Sequence, residues 1–89
     1  MNVVAARFGT NLARLRERGG ITQEEMSFRA SLHRTEVGLL ERGGRIPRID
    51  TMVKIRDALE VPTDDLLVGI FWTPGDFRPG GFVEQRGDD

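Results

Sequence analysis

The 89-residue sequence contains no cysteine and no tyrosine, and its one histidine is His33. Without cysteine the chain can form no disulfide, thiolate nucleophile or cysteine-ligated zinc site. His33 also has no second histidine or cysteine with which to bind a metal or share a proton. A glycine motif that cradles phosphate is missing as well. These absences argue against an enzyme and predict no metal and no cofactor.

Long apolar runs are also missing, since the longest uninterrupted run covers only a few residues. A transmembrane helix needs about 20 such residues. Residues 1–9 lack the apolar core of a signal peptide. We therefore expect a cytoplasmic protein without membrane contact, and a chain without cysteine suits that reducing compartment.

The length of 89 residues allows one domain, and a helical domain this small would gain stability by burying more surface in a dimer. The net charge of −1 is unevenly distributed. Residues 1–48 hold nine arginines against five glutamates, and residues 49–89 hold four cations against nine acids. This asymmetry is typical of a DNA-facing head with a solvated tail, although chance produces such asymmetry in short chains too.

A start signal for a helix occurs twice in the middle of the chain. Thr22 and Glu25 form the pattern Thr-x-x-Glu. In this pattern the hydroxyl caps the first turn and the glutamate reaches back to the backbone N–H of the cap residue. His33 and Glu36 repeat the spacing. Two short helices joined by a tight turn are therefore predicted.

The two helices are expected at residues 23–30 and about 34–42, with Gly43 in a left-handed conformation after the second. A linker of about three residues suits a helix-turn-helix motif, whose second helix enters the major groove of DNA. An ordinary hairpin of two helices in a small bundle would show the same caps and spacing.

Apolar residues at helical spacing predict one helix before this pair and two after it. The first covers residues 3–18, the fourth runs from its cap Asp50 to about residue 59, and the fifth runs from its cap Thr63 to about residue 67. Asp64 and Asp65 fall in the first turn of the fifth helix and are expected to complement its dipole, not to form a catalytic or metal-binding pair.

The last part of the chain, residues 69–89, is expected to form an extension to a domain at residues 1–68. A disordered tail would normally lack aromatic residues, yet four are present here: Phe71, Trp72, Phe77 and Phe82. We expect short extended pieces that cover the domain's own core or form a dimer seam. Residues 84–89 are expected to be disordered.

A set of short motifs connects residues 8–68 to a known family. They are Leu12, Leu15-Arg16, Gly20 to Glu25, Leu32 to Thr35, Leu40 to Gly43, Pro47 and Leu59 to Val61. These residues, above all Thr-Gln-Glu-Glu followed by Leu-Glu-Arg-Gly, resemble the phage-repressor-like (Cro/Xre-type) helix-turn-helix family. The resemblance implies an all-α, compact five-helix repressor-like domain that acts as a sequence-specific regulator of transcription on double-stranded DNA.

The resemblance also implies roles for individual residues. The residues expected to contact bases are His33, Arg34, Thr35 and Leu39. The residues expected to contact phosphates are Thr22, Gln23, Arg42, Arg45 and Arg48. Arg16 and Glu41 are expected to form a structural ion pair, although Arg16 could instead be solvated or bind a phosphate. Of the base contacts, Arg34 is the best candidate for two hydrogen bonds to guanine.

The implied partner is a pseudo-palindromic operator bound by a homodimer, because one small head gives modest specificity. No site for a small-molecule effector is evident. The alternative is a protein-binding module with the same fold, such as an antitoxin or a co-regulator.

Three residues depart from the family pattern. Ser31 stands where glycine is usual in the turn. Glu36 places a negative charge near the DNA, and it either serves its cap or rejects some arrangements of phosphates or bases. Gly38 lies within the recognition helix. Gly38 either allows close approach to DNA or is merely tolerated.

Overall fold

A computed structural model describes residues 2–76 and 79–85, and these residues form five helices followed by a two-stranded hairpin. The helices are α1 (Val3–Arg18), α2 (Gln23–Ala30), α3 (Arg34–Glu41), α4 (Ile49–Leu59) and α5 (Thr63–Leu66), and the strands are β1 (Phe71–Thr73) and β2 (Gly81–Val83). The predicted five-helix fold with a partly extended C-terminal segment is confirmed. None of the described helices is both long and apolar enough to cross a membrane.

One apolar core lies between the helices, and every helix contributes to it. Its buried residues are Phe8, Leu12, Leu15, Ile21, Met26, Ala30, Val37, Leu40, Ile55 and Leu66. On α1 these side chains follow the helical spacing of the sequence, so one face of the helix is buried and the other is solvated. Met52 and Leu59 of α4 lie at the edge of this core and are only partly buried.

Gly9 allows α1 to cross close to α3. A methyl group on Gly9 would lie 2.7 Å from the carbonyl oxygen of Glu41 and closer still to that of Leu40. Only glycine fits where two backbones approach so closely. The end of α3 is therefore held against the middle of α1.

The turn between α2 and α3 has the geometry expected of a helix-turn-helix. Thr22 Oγ1 accepts a hydrogen bond of 3.0 Å from the backbone N–H of Glu25, and His33 Nδ1 accepts one of 3.2 Å from Thr35. Ser31 ends α2 in the left-handed region at φ 54° and ψ 45°, so it adopts the conformation for which glycine is usual. The carboxylate of Glu25 binds Arg29 at 2.6 Å.

Two of the predicted caps were wrong. The N-cap of α4 is Arg48, and Asp50 lies inside the first turn, where its Oδ1 accepts a hydrogen bond from Thr51 N at 2.9 Å. The N-cap of α5 is Pro62, and the hydroxyl of Thr63 accepts a hydrogen bond from Arg56 instead. An acidic or hydroxyl residue is favourable both at a cap and in the first turn. The sequence signal was therefore correct for the helix but not for its first residue.

The C-terminal extension forms an antiparallel hairpin with the register Phe71↔Val83, Trp72↔Phe82 and Thr73↔Gly81. The rings of Trp72 and Phe82 meet edge to face, with centroids 5.1 Å apart. Their side chains remain 56% and 53% exposed, respectively. Phe77 and residues 86–89, for which packing and disorder were expected, lie outside the described residues.

Asn11 joins α1 to the segment that leads into the extension. It is completely buried, and its Nδ2 donates hydrogen bonds of 2.9 Å to the carbonyl oxygens of Leu66 and Val68. Arg7 Nε donates a third hydrogen bond, of 3.1 Å, to the carbonyl oxygen of Val68. These bonds satisfy backbone acceptors where α5 ends, and they fix the direction in which the chain enters the hairpin.

Candidate nucleic-acid interface

The first turn of α3 is exposed to solvent, whereas the opposite side of the helix is buried. His33, Arg34 and Thr35 are exposed. Val37 and Leu40 are fully buried in the core. Three of the four residues expected to contact bases therefore project from a firmly anchored helix.

Leu39 differs from the other three. It is only partly exposed, and its side chain lies over the backbone of Gly44, where a methyl group would collide with Leu39 Cδ1. The N–H of Gly44 also donates a 2.9 Å hydrogen bond to the carbonyl oxygen of Leu39. Leu39 therefore offers one apolar edge beside the polar start of α3.

Gly38, for which the sequence left open close approach to DNA or mere tolerance, is buried. A methyl group at this position would lie 3.0 Å from Nη1 of Arg42 and 3.8 Å from Oε1 of Gln23. Because Gly38 has no side chain, space remains for Arg42 and Gln23, which are both expected to contact phosphates. The contact with Arg42 was not predicted, because the arginine of the next turn folds back over the helix and helical spacing alone does not reveal this.

Glu41 is the centre of a hydrogen-bond network that joins three helices. Arg16 Nε donates to Glu41 Oε2 at 2.6 Å and Arg16 Nη2 to Glu41 Oε1 at 3.0 Å, so the expected ion pair is present with two-point geometry. Gln23 Nε2 donates a third bond, of 3.0 Å, to Glu41 Oε1. The side chains of Arg16 and Glu41 are 12% and 7% exposed, respectively.

The same network affects the pKa of Arg16. Its hydrogen bond to Glu41 raises the pKa of Arg16 above its ordinary value, although burial acts in the opposite direction. Arg16 Nη1 also donates to the carbonyl oxygen of Ile21 at 2.7 Å. The guanidinium group of Arg16 therefore uses its N–H groups for partners within the protein.

The residues expected to contact phosphates lie around the start of α2 and after α3. Thr22, Arg42, Arg45 and Arg48 are exposed, and Gln23 is partly exposed. Gln23 uses one N–H of its amide for Glu41, and a primary amide retains a second N–H for another acceptor.

Three arginines of this surface lie beside carboxylates of the same chain. These contacts, which we call the counter-ion pairs, are Arg34 Nη1–Glu24 Oε2 at 3.8 Å, Arg45 Nη1–Glu36 Oε2 at 3.8 Å and Arg48 Nε–Asp50 Oδ1 at 3.3 Å. The spacing of His33 and Glu36 predicted a capping role for Glu36. None of the three pairs was predicted from the sequence, because each joins residues whose approach depends on the turn between two helices or on the start of a helix.

The role of Asn11 was also not predicted from the sequence. A signal was available, since Asn11 lies three residues after Phe8 and four before Leu15, on the apolar face of α1. A polar residue at such a position is buried and requires hydrogen-bond partners. Among the residues that the structure describes, there is no group of three or more histidine, cysteine or acidic side chains that could hold a metal ion.

Comparison with known proteins supports this geometry. A family model described as helix-turn-helix matches residues 12–66. An uncharacterised HTH-type transcriptional regulator of Sinorhizobium fredii, y4dJ, is 38% identical over 73 residues, which are 82% of this chain and 88% of that protein. Control protein C.BamHI of Bacillus amyloliquefaciens is 34% identical over 86 residues, which are 96% of each chain.

A solved structure agrees with these matches. The restriction-modification controller protein C.AhdI from Aeromonas hydrophila superposes with a TM-score of 0.68 at 34% sequence identity. The superposition covers 70% of this chain and 94% of the controller protein. The similarity therefore includes the whole arrangement of helices around the turn.

Proposed function

Because this chain belongs to the helix-turn-helix family of Xre- and Cro-type regulators, we propose that it regulates transcription by binding double-stranded DNA with α3 in the major groove. The observation that carries the proposal is the exposed first turn of α3 on a helix whose other side is held by the Glu41 network. Such a helix presents its polar start at a fixed angle, as base reading requires. The proposed activity is binding without catalysis, in the cytoplasm.

Base reading is assigned to His33, Arg34, Thr35 and Leu39. Arg34 can donate two parallel hydrogen bonds to guanine, Thr35 can contact the methyl group of thymine, and Leu39 contributes apolar contact alone. This division predicts that sequence preference depends most strongly on Arg34.

Backbone contact is assigned to Thr22, Gln23, Arg42, Arg45 and Arg48. Thr22 and Gln23 stand at the positive end of the α2 dipole, where free N–H groups favour a phosphate. The three arginines supply positive charge on the other side of α3. Contacts of this kind fix the register of a protein on DNA without reading its sequence.

We propose that two copies bind a pseudo-palindromic operator as a homodimer, since a pair of heads about 34 Å apart doubles the sequence that is read. The similarity to C.BamHI over nearly the full chain, and to the controller protein C.AhdI, supports the further proposal that the regulated genes belong to a restriction-modification system.

Selection of bound fragments from random or genomic DNA, followed by anisotropy titrations, tests the proposal. Arg34→Ala should weaken binding to the best fragment by about 1–3 kcal/mol and relax its sequence preference. Arg45→Ala should weaken all sequences alike and make log K less dependent on log salt by about 0.9.

Arg14→Ala is the matched control for both variants, because it removes the same charge from an exposed position on α1. An unchanged sequence preference in Arg34→Ala would remove Arg34 from the base-reading role. Loss of affinity confined to the specific fragment in Arg45→Ala would show that Arg45 is not a backbone contact.

A role as a protein-binding module is the second candidate, and the exposed Trp72–Phe82 pair favours it because aromatic residues are enriched at protein interfaces. The two functions differ in their response to salt. Binding to DNA tightens steeply as the salt concentration falls, whereas capture of a protein partner through an aromatic surface changes little.

A further inference from the structure

The surface proposed to face DNA is much less positive than its arginines suggest. Of the four arginines in this region, three belong to the counter-ion pairs within the part of the chain that the structure describes. Four cations therefore stand against three carboxylates. A face that binds phosphates by charge alone would not place an acid beside nearly every arginine.

The three acids lie at equivalent positions in three helices. Glu24, Glu36 and Asp50 each lie in the first turn of a helix, namely α2, α3 and α4, respectively. A carboxylate there interacts favourably with the positive end of the helix dipole. A DNA phosphate would use the same two attractions, the start of a helix and an arginine. Each carboxylate thus takes both the place and the partner that a phosphate would use.

The counter-ion pairs are weak enough to open. Their atoms are 3.3–3.8 Å apart, and their side chains are exposed or partly exposed, so water screens the attraction. The buried Arg16–Glu41 pair differs, with a separation of 2.6 Å. The counter-ion pairs are therefore suited to exchange of partners and not to holding the helices together.

We infer that Glu24 is a specificity-determining residue, which lowers the affinity for non-cognate DNA more than the affinity for the operator, whereas Glu36 and Asp50 lower both affinities. This inference rests on the proposed function. Glu36 and Asp50 compete with phosphates for Arg45 and Arg48 on any DNA, whereas Glu24 competes for Arg34, whose partner on DNA depends on the sequence. Specificity is a difference between two affinities, so a selective loss on non-cognate DNA increases it.

Arg34 and Glu24 show how the operator escapes this loss. To reach a base, Arg34 has to leave Glu24. A guanine at the correct position offers two acceptors that replace the carboxylate, whereas a wrong base leaves the arginine poorly paired and the free carboxylate close to the DNA backbone. The exchange is therefore favourable only at the matching sequence.

The test compares the triple variant Glu24→Gln, Glu36→Gln and Asp50→Asn with the wild-type protein. Two labelled duplexes are titrated by anisotropy over a range of salt concentrations: a random-sequence duplex and the fragment that the wild-type protein enriches most. We expect affinity for the random duplex to rise about tenfold, with a steeper salt dependence because arginines are freed. Affinity for the enriched fragment should rise less, because guanine already replaces Glu24 as the partner of Arg34 there, so the ratio of the two affinities falls.

The control triple variant is Glu17→Gln, Asp57→Asn and Asp64→Asn, which changes the net charge equally. Glu17 and Asp57 lie beside Arg16 and Arg56, and Asp64 lies in the first turn of α5. None of the three belongs to a counter-ion pair. The control should keep the ratio of affinities at the wild-type value.

A second comparison covers the case in which the triple variant fails to fold. Glu24→Gln and Glu25→Gln change neighbouring acids in the first turn of α2, but only Glu24 pairs with an arginine of the proposed DNA face. Glu24→Gln should lower the ratio of affinities and Glu25→Gln should leave it unchanged.

The outcomes separate the inference from the proposed function. If the wild-type protein distinguishes the two duplexes and both triple variants keep or change the ratio equally, the inference is overturned and the proposed function stands. If the wild-type protein shows no salt-dependent binding to any duplex, the proposed function itself is overturned and the inference with it.

Discussion

Glu41 accepts three hydrogen bonds from two helices other than its own, and its side chain is nearly buried. We expect Glu41→Gln to lower the free energy of unfolding by about 3 kcal/mol, because it leaves the charge of Arg16 in a poorly solvated position without its partner. Urea denaturation followed by circular dichroism measures this loss.

Glu25→Gln is the control for that measurement. It also removes a carboxylate that binds an arginine at 2.6 Å, but this pair with Arg29 is solvent-exposed. Its loss should be about 0.5 kcal/mol or less. Equal losses in the two variants would show that burial does not distinguish the pairs.

A substitution at Gly38 should change stability and DNA binding in opposite directions. Gly38→Ala should raise the free energy of unfolding by up to about 1 kcal/mol, because alanine is the better helix former and the obstructing atom is the mobile end of Arg42. The displaced arginine should weaken binding to all duplexes by several-fold. Urea denaturation and anisotropy titrations report the two effects.

A double-variant cycle with Arg42→Ala checks the cause. If Gly38→Ala acts by moving Arg42, the double variant should bind DNA no more weakly than Arg42→Ala alone. Additive losses would show that Gly38 affects binding by another route.

At the residue scale, the sequence is informative where a role depends on local spacing. The caps Thr22 and His33 are confirmed, and Ser31 adopts the left-handed conformation that its place in the turn required. The sequence was less informative where a role depends on residues from separate turns or helices, as for Gly38 and Asn11. Their environments exist only after the chain has folded.

At the scale of the elements, the crossing of α1 and α3 leaves no space for an added side chain at Gly9. Gly9→Ala should lower the free energy of unfolding by about 2 kcal/mol or more, because a methyl group would press against backbone carbonyls that have no free space. Thermal and urea unfolding measure the loss.

The matched control is Gly19→Ala, at the C-terminal end of the same helix. A methyl group there would meet its nearest atom at 3.4 Å, which is ordinary contact, so we expect a small change of either sign. A variant Gly9→Ala as stable as Gly19→Ala would show that α1 and α3 can move apart without cost.

The apolar spacing of the sequence predicted the order of the helices correctly. It did not always predict the residue at which a helix begins. Asp50 and Thr63 both carry side chains that stabilise a helix start, but each lies one or two residues inside its helix. Where a helix begins depends on the path of the preceding loop, which the residues inside the helix do not determine.

For the whole molecule, we propose that two copies associate through the exposed Trp72–Phe82 pair of the hairpin. The wild-type protein should sediment with twice its monomer mass of 10.0 kDa at micromolar concentration. The double variant Trp72→Ala and Phe82→Ala should shift it towards the monomer, because exposed aromatic residues supply much of the energy of small interfaces.

Far-UV circular dichroism of this double variant should show unchanged helical content, since both side chains are more than half exposed and lie outside the helical core. Monomeric wild-type protein at micromolar concentration would contradict a dimer. Dimeric protein in the double variant would place the interface elsewhere, for example on the exposed Ile49 and Val53 of α4.

α1 contacts both α3 and the end of α5, which leads into the hairpin. Its middle crosses α3 at Gly9, and its residues Arg7 and Asn11 hold the carbonyl groups at the end of α5. α1 therefore links α3 to the segment that leads into the hairpin. Pairing two copies through their tails would consequently orient both reading helices at once, and a partner that tilted the tail would change the distance between the two half-sites that the assembly can span.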